Sequence, residues 1–426
     1  MKAIVDCNNF YCSCERLFKP KLKTAPVVVL SNNDGCIISR SDEAKKLGII
    51  MAQAFFLSKP TLQQNGIVAF SSNYNLYGDM SKRVMETMLS LFPPMSVEVY
   101  SVDEAFVDMS RVPALELQDI VRQLKERIAA WTGIPVSIGV APSKTLAKIA
   151  NRLAKDNKAK SDCMLILGTP GKIDAALKRT PTDEIWGVGK QYAATLEKVG
   201  VKTAFELKEM PEDWARKHLG GVVGVRLMKE LKGMPAIGLD EQLTLKKMVS
   251  CTRRFGHPLN NLALMKEAVA TYVSRAAEKL RRQQCAVKEI TVFVIEKTPG
   301  NGAIYKPNGP VRQKVTLSVP SSATTLLVKP AIALLERLYE PGKLYEKAGV
   351  IFNKLVPEAS IQSNLFMPAG DEKHRLLMSK IDNINFSMHN EPVKLASSGV
   401  DKTWKMKQEL LSKRYTTRWC ELREVS

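Results

Sequence analysis

Nine residues, Tyr100 to Asp108, restrict the fold of this chain more than any others. Val97-Glu-Val-Tyr-Ser101 and Ala105-Phe-Val107 are apolar or alternating runs rich in β-branched and aromatic residues. They read as two strands joined by a tight connection. The adjacent acids Asp103 and Glu104 stand in that connection. Taken alone, an Asp-Glu pair is an ordinary polar turn. Two neighbouring carboxylates repel, however, unless a cation sits between them. Hard cations such as Mg²⁺ take carboxylate oxygens and keep positions open for phosphate. A second acid, Asp6, ends the short apolar run at residues 2–5. A turn residue or cap is one reading of Asp6. A metal ligand at a sheet end, across from the Asp103-Glu104 turn, is the other.

Composition narrows the classes of function. A chain of 426 residues has room for two to four domains and ample core. Its formal net charge is +20, yet the first 110 residues hold equal numbers of acidic and basic side chains. The excess therefore lies outside the segment with most of the candidate acids, as suits a polyanion held by the middle of the chain. A solubilising surface is the plainer reading. The eight cysteines show no paired C-x-x-C spacing and stand apart from the four histidines. A zinc site and a disulfide framework are not expected, and reduced thiols are. The N-terminus lacks the apolar core of a signal peptide, and no apolar run approaches a membrane span. A cytoplasmic protein with no membrane partner is expected.

Asp6-x-x-x-Phe-Tyr11 together with Tyr100-Ser-Val-Asp-Glu-Ala-Phe106 resembles the two catalytic motifs of the Y-family translesion DNA polymerases. Ser31-Asn-Asn-Asp-Gly-Cys36, Phe70-Ser-Ser-Asn-Tyr74 and Arg414-Tyr-Thr-Thr-Arg418 are similar to the UmuC branch, the catalytic subunit of bacterial DNA polymerase V and its plasmid-borne relatives. The resemblance spans essentially the whole chain. It implies error-prone, template-directed DNA synthesis across damaged template in the SOS response, with dNTP as substrate and two Mg²⁺ ions as cofactors.

The resemblance also assigns residues. Asp6, Asp103 and Glu104 would be the catalytic carboxylates and metal ligands, with the Cys7 backbone carbonyl as a further oxygen. Such a set meets the need of phosphoryl transfer for charge neutralisation and in-line placement. Tyr11 would be the steric gate against ribonucleotides, and Phe10 its packing neighbour. Lys155 would reach the triphosphate, with Lys144 or Lys148 close to DNA or the active site. At two fingers positions where the wider family holds triphosphate with tyrosine and arginine, this chain has Asp42 and Lys45. Lys45 can supply charge. Asp42 cannot replace a tyrosine, and Ser39 and Arg40 are the candidates to compensate.

The chain divides accordingly into an α+β, multidomain right-hand polymerase. The palm takes residues 1–12 and 68–168, with helices on one face of a ferredoxin-like sheet. The fingers take 13–67. Helical periodicity at Leu115–Trp131, a strand at Pro135–Val140 and an N-cap at Ser143 belong to the palm. Residues 169–237 read as a helical thumb with a helix-hairpin-helix, in which Gly187, Gly189 and Lys190 form a phosphate site at a helix N-terminus. This is not a P-loop, because its first glycine would fall at Glu184. A linker at 238–241 precedes a βαββαβ little finger at 242–355, with strands near Lys246–Phe255, Val287–Glu296, Val311–Val319 and Gly349–Asn353. Its basic cluster includes Arg253, Arg254, Arg281, Arg282, Lys288, Arg312 and Lys314, which suits a sheet laid along primed template DNA.

Residues 356–426 read as a tail of lower regularity. Ile361-Gln-Ser-Asn-Leu-Phe366 is similar to the peptide that docks on the bacterial sliding clamp, with Gln362, Leu365 and Phe366 as anchors and Ser363 in place of the usual leucine. The resemblance further implies a cleaved UmuD-type homodimer and RecA as partners. Two rivals stand beside the polymerase: a nucleotidyl cyclase-like enzyme and a non-catalytic DNA-binding scaffold. The first leaves the helix-hairpin-helix and the basic region unexplained, and the complete acid set argues against the second.

Overall fold

The computed structural model describes residues 1–239, 247–297, 309–361, 371–388, 392–400 and 402–423. They form two compact units, one of Met1–Ser31, Gly35–Leu243 and Leu410–Ser426, the other of Asn32–Asp34 and Thr244–Glu409.

In chain order, the first unit opens with β1 (Lys2–Cys7), α1 (Phe10–Leu17), β2 (Val27–Leu30), β3 (Ile37–Arg40), α2 (Asp42–Lys46), α3 (Phe55–Gln64) and β4 (Val68–Ser71). There follow α4 (Tyr74–Leu89), β5 (Val97–Val99), β6 (Glu104–Asp108), α5 (Leu117–Thr132), β7 (Val136–Ala141), α6 (Lys144–Asp156), the short α7 (Lys158–Ser161) and β8 (Met164–Ile166). The main sheet has the order β5-β6-β1-β7-β8, with β1 antiparallel to both neighbours and β8 parallel to β7.

Side chains alternate across β1. Ala3, Val5 and Cys7 join the core made with α4 and α5, whereas Ile4 joins Phe106, Leu146 and Ile149 under α6. Helices thus cover both faces of this sheet. The expected palm with helices on one face only is corrected here, because the strands are apolar on both sides and each side must be buried. A second correction concerns β4. The sequence division puts it in the palm, but it pairs in parallel with β2 in a separate sheet of order β3-β2-β4. The 12/13 boundary also falls within α1, which runs unbroken from Phe10 to Leu17.

The stretch from Pro170 to Leu231 in this unit is helical: α8 (Pro170–Lys178), α9 (Lys190–Lys198), α10 (Ala204–Glu209), α11 (Glu212–His218) and α12 (Val222–Leu231). Gly187 has φ +96°, a conformation L-residues with side chains avoid, and Gly189 is the N-cap of α9. Thr203 caps α10 through a reciprocal box with Glu206.

The second unit is β9 (Val249–Leu259), α13 (Leu262–Arg282), β10 (Cys285–Glu296), β11 (Val311–Ser321), α14 (Thr324–Leu338) and β12 (Tyr345–Pro357). This is the βαββαβ order, in a sheet β11-β10-β12-β9 with every pairing antiparallel. The tail is more regular than expected, for α15 (Asp371–Met388) runs through it. No helix among the described residues is long and apolar enough to cross a membrane.

Candidate active site

Asp6 and Glu104 lie directly opposite each other in the β1–β6 register. Residues so paired turn their side chains to one face. That face is the one covered by α6, as Ile4 and Phe106 show two residues along each strand. Asp103 stands at the turn just before β6, and its carbonyl accepts a hydrogen bond of 2.8 Å from the Cys7 N–H. Ser101 fixes the turn. Its hydroxyl donates to Asp103 Oδ1 at 2.6 Å and accepts from the backbone N–H groups of Asp103 and Glu104 at 3.3 and 3.1 Å. No motif marks Ser101 in the sequence; its place two residues before the first acid is the one signal of this role.

Helix α6 supplies the counter-charges. Ser143 caps it, accepting from the Leu146 N–H at 3.3 Å as expected. Lys148 Nζ contacts Glu104 Oε1 and Oε2 at 3.0 and 3.1 Å, and Lys155 Nζ reaches Asp6 Oδ1 at 2.6 Å. Lys148 also lies over the Tyr100 ring, 4.5 Å from its centroid. Lys144 is buried, paired with Glu98 and 4.8 Å from the Phe106 centroid. Burial, opposed by Lys155 and joined by the Glu104 charge, pushes the Asp6 carboxyl up to about 6. A partly desolvated acid facing a like charge is what a cation relieves.

The donor set therefore fits a hard divalent ion in its chemistry: all oxygen, anionic and held on strand ends. Among the described residues, no group of three Asp, Glu, His or Cys side chains is gathered closely enough to hold a metal ion as it stands. The ammonium groups of Lys148 and Lys155 sit on the carboxylates instead. The Cys7 side chain is buried in the core, and burial pushes its thiol well above the ordinary value.

Tyr11 is half-buried on α1 and stacks on Tyr77, with centroids 4.6 Å apart and planes 19° off parallel. Tyr74 meets it edge-on at 6.0 Å. Phe10 is buried beside it at 5.7 Å.

The fingers positions differ from expectation in detail. Lys45 Nζ donates to Asn9 Oδ1 at 2.6 Å and pairs with Asp42 at 3.0 Å. Asp42 also accepts from Asn9 Nδ2 at 3.1 Å and pairs with Lys158. Burial opposes it, but these hydrogen bonds hold the Asp42 carboxyl well below its ordinary value. Asp42 thus gathers two lysines, an arrangement that neither Asn9 nor Lys158 announced in sequence. Ser39 is buried beside Cys12, and Arg40 Nη1 is engaged by the Ile49 carbonyl at 2.5 Å.

Gly187, Gly189 and Lys190 form the turn and first residue of α9. Arg253 and Arg254 lie on β9; Arg253 is half-buried, and exposed Arg254 pairs with Glu346 at 2.9 Å. Arg281 leaves the basic cluster. Its guanidinium binds Asp382 on α15 through two bonds of 2.6 and 2.8 Å and also donates to the Ser322 carbonyl. Gln362, Leu365 and Phe366 lie outside the described residues.

This fold is that of the Y-family DNA polymerases. A Y-family polymerase chimera of Dbh and Dpo4 superimposes with a TM-score of 0.66, covering 84% of this chain and 99% of its own, at 20% identity. Residues 5–152 match the impB/mucB/samB family, residues 246–365 its C-terminal domain, and residues 375–425 a domain of unknown function, DUF4113. Protein UmuC of Salmonella typhimurium is 38% identical over the full length of both chains. Protein MucB of Escherichia coli is 34% identical over 98% of each. The chain belongs to the impB/mucB/samB family, the error-prone DNA-directed DNA polymerases of translesion synthesis.

Proposed function

We propose that this polymerase carries out nucleotidyl transfer to a primer 3′-hydroxyl at Asp6, Asp103 and Glu104, using two Mg²⁺ ions. The observation that carries the reading is the opposition of Asp6 and Glu104 in one strand register, with Asp103 tied to Cys7 beside them. Bound there, the ions would neutralise the triphosphate and activate the attacking oxygen. The carboxylates, with the Cys7 carbonyl, hold that charge at the sheet end. Lys155 and Lys148 balance the carboxylates in its absence, and Lys155 is then within reach of a phosphate. Tyr11 bars the ribose 2′-hydroxyl by occupying its space. Lys45 is the fingers' contribution to phosphate, and Asp42 positions it.

Primed template DNA is gripped by its phosphates, at the Gly187–Lys190 turn of the thumb and at Arg253 and Arg254 of the little finger. A palm on the β5-β6-β1-β7-β8 sheet, fingers on the β3-β2-β4 sheet, a thumb at 169–237, a linker at 238–241, a little finger at 242–355 and a tail at 356–426 are the working divisions. The sliding clamp, by way of Gln362, Leu365 and Phe366, a cleaved UmuD-type homodimer and RecA are the partners, at the nucleoid in the cytoplasm.

The test is Mg²⁺-dependent primer extension opposite an abasic site, with and without the cleaved UmuD-type dimer and activated RecA. Asp103→Asn should abolish incorporation and leave DNA binding nearly unchanged. Full incorporation by that variant would remove the metal assignment. Loss of incorporation by the parent chain under every condition, with DNA binding intact, would favour the scaffold.

A further inference from the structure

The end of the chain belongs to a domain of unknown function, and one of its residues reaches the helices that carry Tyr11 and Tyr77. Glu15 lies one helical turn after Tyr11 on α1, on the same side of the helix. Its carboxylate is fully buried. Glu15 Oε1 accepts two hydroxyl hydrogen bonds, from Tyr77 at 2.7 Å and from Ser412 at 2.9 Å. Tyr77 is therefore held twice by α1, its ring stacked on Tyr11 and its hydroxyl on Glu15.

Ser412 is itself fixed. Its hydroxyl and carbonyl accept from Asn73 Nδ2 at 3.0 and 3.1 Å, and Asn73 is the N-cap of α4, the helix that carries Tyr77. The chain on either side is anchored too. Leu410 exchanges bonds with Ser71, its N–H donating to the Ser71 hydroxyl at 2.9 Å and its carbonyl accepting from the Ser71 N–H at 3.0 Å. Tyr415 stacks on Phe18 at the end of α1, with centroids 4.7 Å apart. Nothing in nucleotide chemistry demands a buried serine 400 residues from the gate. A bracket joining α1 to α4 does, because the two helices bring Tyr11 and Tyr77 together.

We propose that Ser412 is a positioning residue for sugar selection. Through Glu15 it locks the Tyr77 ring against Tyr11 and so fixes how far the gate ring can retreat from a nucleotide 2′-hydroxyl. The inference rests on Tyr11 being the gate. A ring loosened by a few tenths of an ångström admits a hydroxyl without touching the carboxylates, so deoxynucleotide chemistry is largely preserved.

The experiment measures kcat/KM for a ribonucleotide and for its deoxynucleotide, in primer extension by the full chain with its accessory proteins. Ser412→Ala removes the donor, Tyr77→Phe removes the other hydroxyl and keeps the ring, and Ser412→Thr restores a hydroxyl. Thermal melts confirm that each variant is folded. Ser412→Ala and Tyr77→Phe should each raise relative ribonucleotide use roughly three- to thirty-fold, the range that loss of one buried hydrogen bond allows. The double variant should fall short of the product of the singles, because both hydroxyls serve one oxygen. Ser412→Thr should stay at the parent ratio. Tyr11→Ala separates the two claims. Should it relax selectivity while Ser412→Ala and Tyr77→Phe keep the parent ratio, the bracket is overturned and the gate stands. Should Tyr11→Ala itself leave selectivity unchanged, both fall.

Discussion

Strand β1 has a carboxylate–lysine pair at each end, and the two pairs do different work. At one end Lys2 meets Asp108 at 2.6 Å, in register across β6. At the other, Asp6 meets Lys155. Burial pushes Asp108 up, but Lys2 and the Ser110 bonds outweigh it and hold the carboxyl at about 2. An unfolded Asp titrates near about 3.9. The folded value is the lower one, so the stabilisation is complete above about pH 4 and is lost as pH falls from there through about 2. The pair is partly solvated, so its worth at neutral pH is discounted to about 1 kcal/mol or less. Asp108→Asn should lower stability by that amount at pH 7, lose most of that difference by pH 2, and leave nucleotide incorporation intact. Denaturant melts at the two pH values check it. The three acids were legible because two are adjacent in a strand connection and the third ends a strand. The resemblance brings Lys155 and Lys144 or Lys148 to the same site, but not the carboxylate that each meets, since spacing along α6 does not say which side of the sheet the helix covers.

Helix α6 lies so close on β7 that one glycine decides its position. A Cβ on Gly139 would come 2.2 Å from the Asn151 backbone nitrogen and 2.3 Å from the Ala147 carbonyl oxygen. Neither atom can yield without moving the helix. Asn151 reinforces the contact, donating from Nδ2 to the Ser137 carbonyl at 2.7 Å. Gly139→Ala should therefore cost about 1–3 kcal/mol of stability, as overpacking does. It should also move Lys148 and Lys155 off their carboxylates and reduce incorporation more than DNA binding. Parent-like melting and parent-like incorporation would show that the helix tolerates displacement. In sequence Gly139 looked like any residue of a buried strand. The strand and the capped helix after it were both readable, but the close approach between them is a tertiary fact. The one-sided palm failed for the same reason: periodicity marks an apolar face without naming what covers it.

At the scale of the whole molecule the net charge of +20 is the plainest signal, and the structure divides it. The βαββαβ order was readable because strands and helices alternate there at regular spacing. The tail was not. Trp404 is buried among the little-finger core, edge-on to Tyr272 at 5.7 Å, and Arg281 is committed to Asp382. Such contacts join residues about 100 or more positions apart and leave no local pattern. They change which cations remain for DNA. Arg312 and Lys314 are exposed on β11, and Arg253 and Arg254 lie on β9. Each phosphate contact contributes about 0.9 to the slope of log affinity against log salt on duplex DNA. Arg253→Ala or Arg312→Ala should each flatten that slope by about 1. Arg281→Ala should leave the slope unchanged and instead destabilise the little finger by about 1–3 kcal/mol, because it strands the Asp382 carboxylate and the Ser322 carbonyl. Binding titrations across a salt series, paired with melts, separate the two classes. A flattened slope for Arg281→Ala would mean that its guanidinium leaves Asp382 for a phosphate when DNA is bound.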